Sequence, residues 1–167
     1  MSRNWGVVSA GADVRAPADH VFAEMVRWEN QGRWMLGTDV RAVLGDADDV
    51  GGRIDAWTGV GRLGFLDTMV ITRWDESERV VLVEHIGKVV RGEGVMRVSC
   101  TAPDRCRVQW CERLEVPGGR PGLVGWRAIR PLAAAGLAVS LRRFAREVDR
   151  EHGARGDHAI GSKEDRE

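Results

Sequence analysis

The strongest constraint on the fold is a succession of short β-rich segments from Thr38 to Val116. Turn residues, mainly Gly, Asp and Pro, separate these segments at 46–52, 59–64, 75–78, 87–88 and 102–105. Strands that are joined by short turns form an antiparallel meander. The sequence therefore predicts one antiparallel sheet of about six to seven strands in the middle of the chain.

The last two predicted strands alternate cleanly enough to assign their faces. Trp110, Glu112 and Leu114 share one side of the final strand, and Met96 and Val98 share one side of the strand before it. Successive strand residues point to opposite faces of a sheet, so these side chains lie on a single covered face. The opposite face carries charged residues and is expected to contact water.

Helical patterns flank the sheet. A strand over 5–15 ends at Ala16-Pro17-Ala18-Asp19, which is good chemistry for a helix start, and a short helix follows as far as Trp28. A second short helix is expected over 30–35. Near the C-terminus, a long helix beginning at Pro131 is predicted from an apolar stripe, whose members are Leu137, Leu141, Phe144 and Val148.

The chain length of 167 residues fits one ordinary domain, which we place at 1–149. From residue 150 onward the composition turns to Gly, His and mixed charge, which predicts a disordered tail over 150–167. No signal-like leader and no apolar run long enough to span a membrane is evident, so we expect a soluble, cytoplasmic protein. The 25 basic and 25 acidic residues balance, which argues against a dedicated nucleic-acid binder.

Gly59-Val60-Gly61-Arg62-Leu63-Gly64 has the spacing of a dinucleotide-binding motif. That motif requires a helix to begin at its third glycine, where the helix N-terminus holds the pyrophosphate. Here a β-branched strand sequence follows Gly64, so the glycines indicate a hairpin turn. We expect no cofactor, and the His spacing predicts no metal site.

Two side chains are candidates for acid/base chemistry, Glu112 and His85. Glu112 shares its strand face with Trp110, where partial burial would raise a carboxyl pKa. His85 is adjacent to Glu84, but neighbouring strand residues point to opposite faces, so these two cannot enter one cavity together. For each candidate the alternative is a structural role, in an edge ion pair or as a satisfied half-buried histidine.

Three segments carry a resemblance to a known family: 14–22 (VRAPADHVF), 28–35 (WENQGRWM) and 70–80 (VITRWDESERV). Together they resemble the START-like superfamily, which includes polyketide cyclase/dehydrases, lipid-transfer domains and pollen-allergen-like proteins. The resemblance covers about residues 5 to 149. It implies an α+β helix-grip fold, in which a curved antiparallel sheet wraps around the long C-terminal helix, with two short helices after the first strand. It also implies an apolar cavity between sheet and helix.

We therefore expect the chain to bind a small hydrophobic molecule, such as a lipid, an aromatic compound or a polyketide, in that cavity. Trp57 belongs to the wall only if its strand turns it inward. The residues expected to contact the ligand are Trp34, Trp57, Val90, Met96, Val98, Trp110, Glu112, Leu137 and Leu141.

Two other functions remain open. One is a cyclase-, dehydrase- or hydrolase-type enzyme that uses Glu112 or His85, although the absence of Tyr argues against it. The other is a protein-interaction or chaperone-like module with a filled core. A titratable side chain that points into the cavity with a shifted pKa would favour the enzyme. The expected partner is the small molecule, and homodimerisation is left open.

Overall fold

A computed structural model describes residues 4–44, 48–60 and 62–164. Seven strands and three α-helices are found in these residues, together with a short 3-10 turn after the first helix. In chain order they are β1 Trp5–Val14, α1 Ala18–Met25, the 3-10 turn Trp28–Asn30, α2 Gln31–Trp34, β2 Thr38–Leu44, β3 Arg53–Val60, β4 Leu63–Asp75, β5 Val80–His85, β6 Gly92–Ala102, β7 Arg105–Glu115 and α3 Gly119–Glu164.

All seven strands form one antiparallel sheet in the order β1-β7-β6-β5-β4-β3-β2. β2 to β7 follow one another as a meander, and β1 pairs with β7 from Trp5 opposite Glu115 to Val14 opposite Cys106. Register shifts interrupt the ladders of β2, β4 and β6. Such bulges increase the local bend and twist of a strand, which curves the sheet.

The concave face of the sheet holds the core together with the helices. In α3, Leu141, Phe144 and Val148 are buried against it and Leu137 is partly buried, as the apolar stripe predicts. In β7, Val108 and Trp110 are buried, whereas Arg107 and Gln109 are exposed and Cys111 is half-buried, which confirms the predicted alternation. The fold is the α+β helix-grip fold.

Among the hydrogen bonds that fix α3 against the rest of the fold, two are donated by backbone N–H groups of other segments. The backbone N–H of Arg15, directly after β1, donates to Asp149 Oδ1 over 2.7 Å. The backbone N–H of Leu36 donates to Ser140 Oγ over 3.2 Å, which holds the segment after α2 against the middle of the long helix. The two contacts secure α3 at separate points along its length.

The glycine-rich segment is a hairpin, as its sequence indicates. Gly59 is paired with Gly64 and Val60 with Leu63, and β4 continues as a strand to Asp75. No helix N-terminus lies at Gly64 to hold a pyrophosphate. Gly61 is outside the described residues.

The C-terminal helix differs from the sequence-based prediction at both ends. It begins at Gly119 and passes through Pro131 without a break, whereas the sequence predicted that the helix begins at that proline. Proline lacks the N–H that a helix interior uses, so it costs helix stability but does not by itself set a boundary. The helix also continues to Glu164 where a disordered tail was expected from residue 150, and the division into domain and tail stays a prediction. Of the described helices, none combines the length and the apolar character needed to cross a membrane.

Candidate functional site

A cavity of about 200 Å³ lies between the concave face of the sheet and the segment from Trp28 to Met35. Most of its wall is apolar and comes from six of the seven strands as well as from that segment. The apolar lining residues are Trp28, Met35, Val40, Ala56, Phe65, Met69, Val83, Val90, Met96, Trp110 and Leu114. The polar lining residues are Gln31, Thr38, Thr58, Asp67, His85 and Glu112.

Three titratable side chains in this wall form one hydrogen-bonded row, which we call the acidic–histidine row: Asp67, His85 and Glu112. His85 Nδ1 lies 2.8 Å from Asp67 Oδ2, and His85 Nε2 lies 2.8 Å from Glu112 Oε2. The other oxygen of Glu112 accepts a short hydrogen bond from the indole Nε1 of Trp110. The imidazole is only 6% exposed, so both of its nitrogens are held inside the protein.

The environment of His85 favours its charged form. Burial on its own would lower the pKa of the imidazole, but the hydrogen bonds and negative charges of Asp67 and Glu112 outweigh it and raise the pKa from 6.5 to about 10. At neutral pH the ring is therefore an imidazolium that donates one N–H to each carboxylate. Such a ring positions Glu112 and stabilises its charge, and it is a poor proton acceptor.

The register of the sheet explains how His85 and Glu112 meet. His85 is on β5 and Glu112 is on β7, with β6 between them, so the two backbones are about two strand spacings, roughly 10 Å, apart. β6 carries Gly92 opposite His85 and Gly94 opposite Glu112. A Cβ on Gly94 would lie 2.9 Å and 3.0 Å from the two carboxylate oxygens of Glu112. The two side chains meet over a stretch of β6 where Gly94 leaves the inward face open.

The structure distributes the sequence-predicted residues between the cavity, the core and the outer face. Val90, Met96, Trp110 and Glu112 line the cavity, as does His85, while Glu84 is exposed on the other side of β5. Four further residues fill the core next to the cavity without lining it, namely Trp34, Val98, Leu137 and Leu141.

Trp34 shows why α3 contributes less to the wall than we expected. Its ring packs between Trp110, at 6.2 Å between ring centroids, and Phe144 of α3, at 5.0 Å. The short segment that contains Trp34 therefore lies between α3 and the cavity. Among the described residues, the lining includes none from α3, so the roof of the cavity is 28–35 and not the long helix.

Trp57 lies on the opposite face of the sheet. Its neighbours in β3, Ala56 and Thr58, line the cavity, so Trp57 points to the other side by strand alternation. There its ring covers the hairpin glycines, where a Cβ on Gly59 or Gly64 would lie 2.8 Å or 2.5 Å from the indole. Trp57 therefore supports the hairpin and does not contact the cavity.

Asp67 is the functional candidate that the sequence reasoning missed. Its signal was available, because Phe65, Asp67, Met69 and Ile71 share one face of β4 and three of them are apolar. An acidic residue in a series of inward apolar residues is rarely buried unless another side chain pairs with it. The partner, His85, is on the next strand, and only the register of Met69 opposite His85 reveals their proximity.

The site does not have the arrangement of a metal centre. Asp67 and Glu112 bind opposite nitrogens of one imidazole, so their oxygens do not converge on a common point. No group of three or more His, Cys, Asp or Glu side chains suited to a metal ion is found within the described part of the chain. The cysteines are free, and burial raises the pKa of the Cys106 thiol to about 11, which makes it a weak nucleophile.

Solved structures with the same fold come from several organisms. The Zhui aromatase/cyclase from Streptomyces sp. R1128 is 17% identical, with a TM-score of 0.69 over 88% of this chain and 95% of that one. A protein from Thermus thermophilus is 14% identical, with a TM-score of 0.73 over 86% of this chain and 97% of that one. A truncated norcoclaurine synthase from Thalictrum flavum is 19% identical, with a TM-score of 0.67 over 89% of this chain and 96% of that one. No family model matches the sequence, and no curated protein matches it.

Proposed function

The helix-grip fold expected from the START-like resemblance is the fold that this chain shares with those structures, and we propose that its cavity binds a small, mainly apolar molecule. The observation that carries this proposal is an apolar wall interrupted by one concentrated group of charges, Asp67, His85 and Glu112. Ligand sites are typically apolar pockets with a few placed polar groups that orient the ligand. The acidic–histidine row supplies those groups here.

The volume of the cavity limits the size of the ligand that it can hold. An engineered cavity of about 150 Å³ accommodates benzene, and this one has about 200 Å³. A molecule with one ring, or a compact pair of rings, fits that volume, whereas a complete lipid or a long polyketide chain does not. Among the classes considered from the sequence, the volume favours a small aromatic compound.

The expected affinity follows from the area that such a molecule buries. One aromatic ring buries about 150 Å² or more, which at about 25 cal/mol per Å² contributes roughly 4 kcal/mol before polar contacts. That free energy corresponds to a dissociation constant near the millimolar range. Probes that lack a matching polar group must therefore be tested at millimolar concentration.

Native mass spectrometry of the protein purified from its natural host tests this proposal. We expect a small-molecule adduct that disappears on denaturation. Ala56→Leu places a larger side chain in the cavity wall and should abolish the adduct, whereas Ala102→Leu, the same change at the exposed last residue of β6, should retain it. A protein without an adduct that also shows no tryptophan-fluorescence change with millimolar toluene would contradict the proposal.

A second candidate function is acid/base catalysis in the same cavity. It is favoured by the charged His85 ring, which holds the Glu112 carboxylate by one oxygen while the residue lines the cavity. Glu112 would accept a proton from a bound molecule and become a carboxylic acid, and the imidazolium would hold the carboxylate in position before the transfer and again after the proton has been returned. Two of the structures with this fold are named as an aromatase/cyclase and a synthase, so the fold accommodates enzymes.

Hydrogen exchange distinguishes catalysis from binding alone. If Glu112 is a general base, the protein in heavy water should exchange a carbon-bound hydrogen of its co-purified ligand for deuterium. Glu112→Gln should stop that exchange while the ligand still binds. Equal exchange rates in the two proteins would remove Glu112 as the base, and no exchange in either would leave binding as the function.

A further inference from the structure

The hydrogen-bond donors of the acidic–histidine row are already used within the protein. Both N–H groups of His85 are directed at carboxylates, one at Asp67 and one at Glu112. The indole N–H of Trp110 also donates to Glu112. A ligand that approaches this end of the cavity therefore meets no free donor from these side chains.

The neutral polar side chains in the wall also form hydrogen bonds within the protein. The hydroxyls of Thr38 and Thr58 lie 3.1 Å apart and bond to each other. The side-chain nitrogen of Gln31 donates to the backbone oxygen of Met25 over 3.1 Å. These contacts connect the elements around the cavity, and the acidic–histidine row supplies the charged groups of its described lining.

Acceptor positions of the row, in contrast, are left without donors. Asp67 is 8% exposed, and its Oδ1 atom is buried without a partner among the described residues. Each oxygen of Glu112 accepts one hydrogen bond, whereas an ionised carboxylate has about four lone-pair sites. A buried acceptor without a donor is costly, so a bound group that supplies donors is favoured at this place.

The net charge of the acidic–histidine row also favours a ligand that supplies hydrogen-bond donors. Two carboxylates and one imidazolium sum to −1, and the described lining contains neither Lys nor Arg to balance it. An uncompensated charge in an apolar cavity is unfavourable. A cation inside the cavity would restore neutrality.

From these two observations, open acceptors and excess negative charge, we propose that the ligand is a small amine in its protonated form, carried on an apolar body of one or two rings. The ammonium group donates to the open acceptor positions of the row, and the rings occupy the apolar part of the cavity. The inference rests on the proposed binding function and adds the chemical class of the ligand.

Four matched probes test it on the wild-type protein: benzylamine, benzyl alcohol, toluene and benzoate, titrated calorimetrically at pH 7. They share one ring and differ in charge and donors. Hydrogen bonds to charged groups are worth about 1.5–3 kcal/mol, so benzylamine should bind about tenfold to a hundredfold more tightly than toluene, with benzoate weakest. If toluene or benzyl alcohol binds as tightly as benzylamine, or benzoate binds more tightly, the amine inference fails although the binding function stands. If none of the four binds, the binding function fails as well.

Two variants that each neutralise one aspartate test whether the ammonium group of benzylamine binds at the acidic–histidine row. Asp67→Asn should weaken benzylamine about tenfold and leave toluene unchanged. Asp39→Asn is the matched control, because Asp39 is exposed beside the cavity residue Val40 on the same strand. An equal loss for both probes in Asp67→Asn, or an equal loss of benzylamine in the two variants, would overturn the assignment of the ammonium to this row.

Discussion

The Nε2 atom of His85 lies 2.8 Å from Oε2 of Glu112, although His85 is on β5, Glu112 is on β7 and β6 lies between these two strands. The contact depends on Gly94 in the intervening strand, because a Cβ there would lie 2.9 Å and 3.0 Å from the carboxylate oxygens of Glu112. The same imidazole also contacts Asp67. A single ring therefore joins β4, β5 and β7 at the wall of the cavity, and this arrangement has measurable consequences.

The first consequence is a dependence of stability on pH. The pKa of His85 is about 10 in the folded protein and 6.5 without its partners. Between these values the folded state binds one proton more than the unfolded state, so stability is full below pH 6.5 and falls as the pH rises toward 10. We expect a loss of about 1.4 kcal/mol for each pH unit, measured by urea unfolding from about pH 6.5 to 8.5.

His85→Gln is the variant that isolates this effect. It removes the titrating group, so its free energy of unfolding should be nearly constant over the same pH range. The range stays below the region where Cys106, with its pKa raised to about 11, adds a slope of its own. Parallel pH profiles for the two proteins would show that His85 is not the group responsible.

The second prediction concerns the glycine beneath the carboxylate. In Gly94→Ala the new Cβ would lie 2.9 Å from Glu112 Oε1 and 2.9 Å from a methyl carbon of Val83, so Glu112 must move. We expect a lower pKa for His85 in an NMR titration and weaker binding of the cavity ligand. Gly125→Ala is the control, since nothing lies within 4 Å of its Cβ position on α3, and it should stabilise the helix by about 0.5–1 kcal/mol. An unchanged His85 titration in Gly94→Ala would refute the role given to this glycine.

The third prediction compares the effects on His85 of two glutamates, Glu112 of β7 and Glu84 of β5. Glu112→Gln removes one negative partner of the imidazolium, so the pKa of His85 should fall toward 6.5 and stability should decrease by about 1–3 kcal/mol. Glu84→Gln changes an exposed glutamate on the outer face of β5 and should leave the stability within about 0.5 kcal/mol of wild type and the His85 titration unchanged. Equal effects from the two substitutions would mean that the contact with Glu112 does not govern His85.

The fourth prediction compares two tryptophans on opposite faces of the sheet. Trp34 is 2% exposed and packs on Trp110 and Phe144, so Trp34→Ala should cost about 3–5 kcal/mol in urea unfolding. Trp57→Ala removes a half-buried ring that covers two glycines outside the core, and we expect a clearly smaller loss. A larger loss from Trp57→Ala would contradict the placement of the core.

Periodicity within single strands was enough to predict much of the fold and part of the site. The alternation in β7 placed Glu112 beside Trp110, and the stripe on α3 placed Phe144 and Val148 against the sheet. Alternation also separated His85 from Glu84. These features follow from the local geometry of one strand or one helix, so one segment of sequence contains them.

Features that depend on two or more strands could not be predicted in this way. The contact of Asp67 with His85 depends on the register between β4 and β5, and the contact of His85 with Glu112 depends on what β6 carries between them. Leu141 is buried as its stripe predicts, but the segment around Trp34 lies between α3 and the cavity. No pattern in α3 itself reveals that separation.

The central claim is that the cavity beside His85 and Glu112 binds a small molecule, and the methionine methyl groups report on it directly. Met35, Met69 and Met96 line the cavity, whereas Met25 is fully buried elsewhere in the core. In a methyl NMR titration with benzylamine, we predict saturable shifts of the signals of Met35, Met69 and Met96, with Met25 unchanged. Signals of the three lining residues that stay constant at saturating millimolar probe would contradict the account.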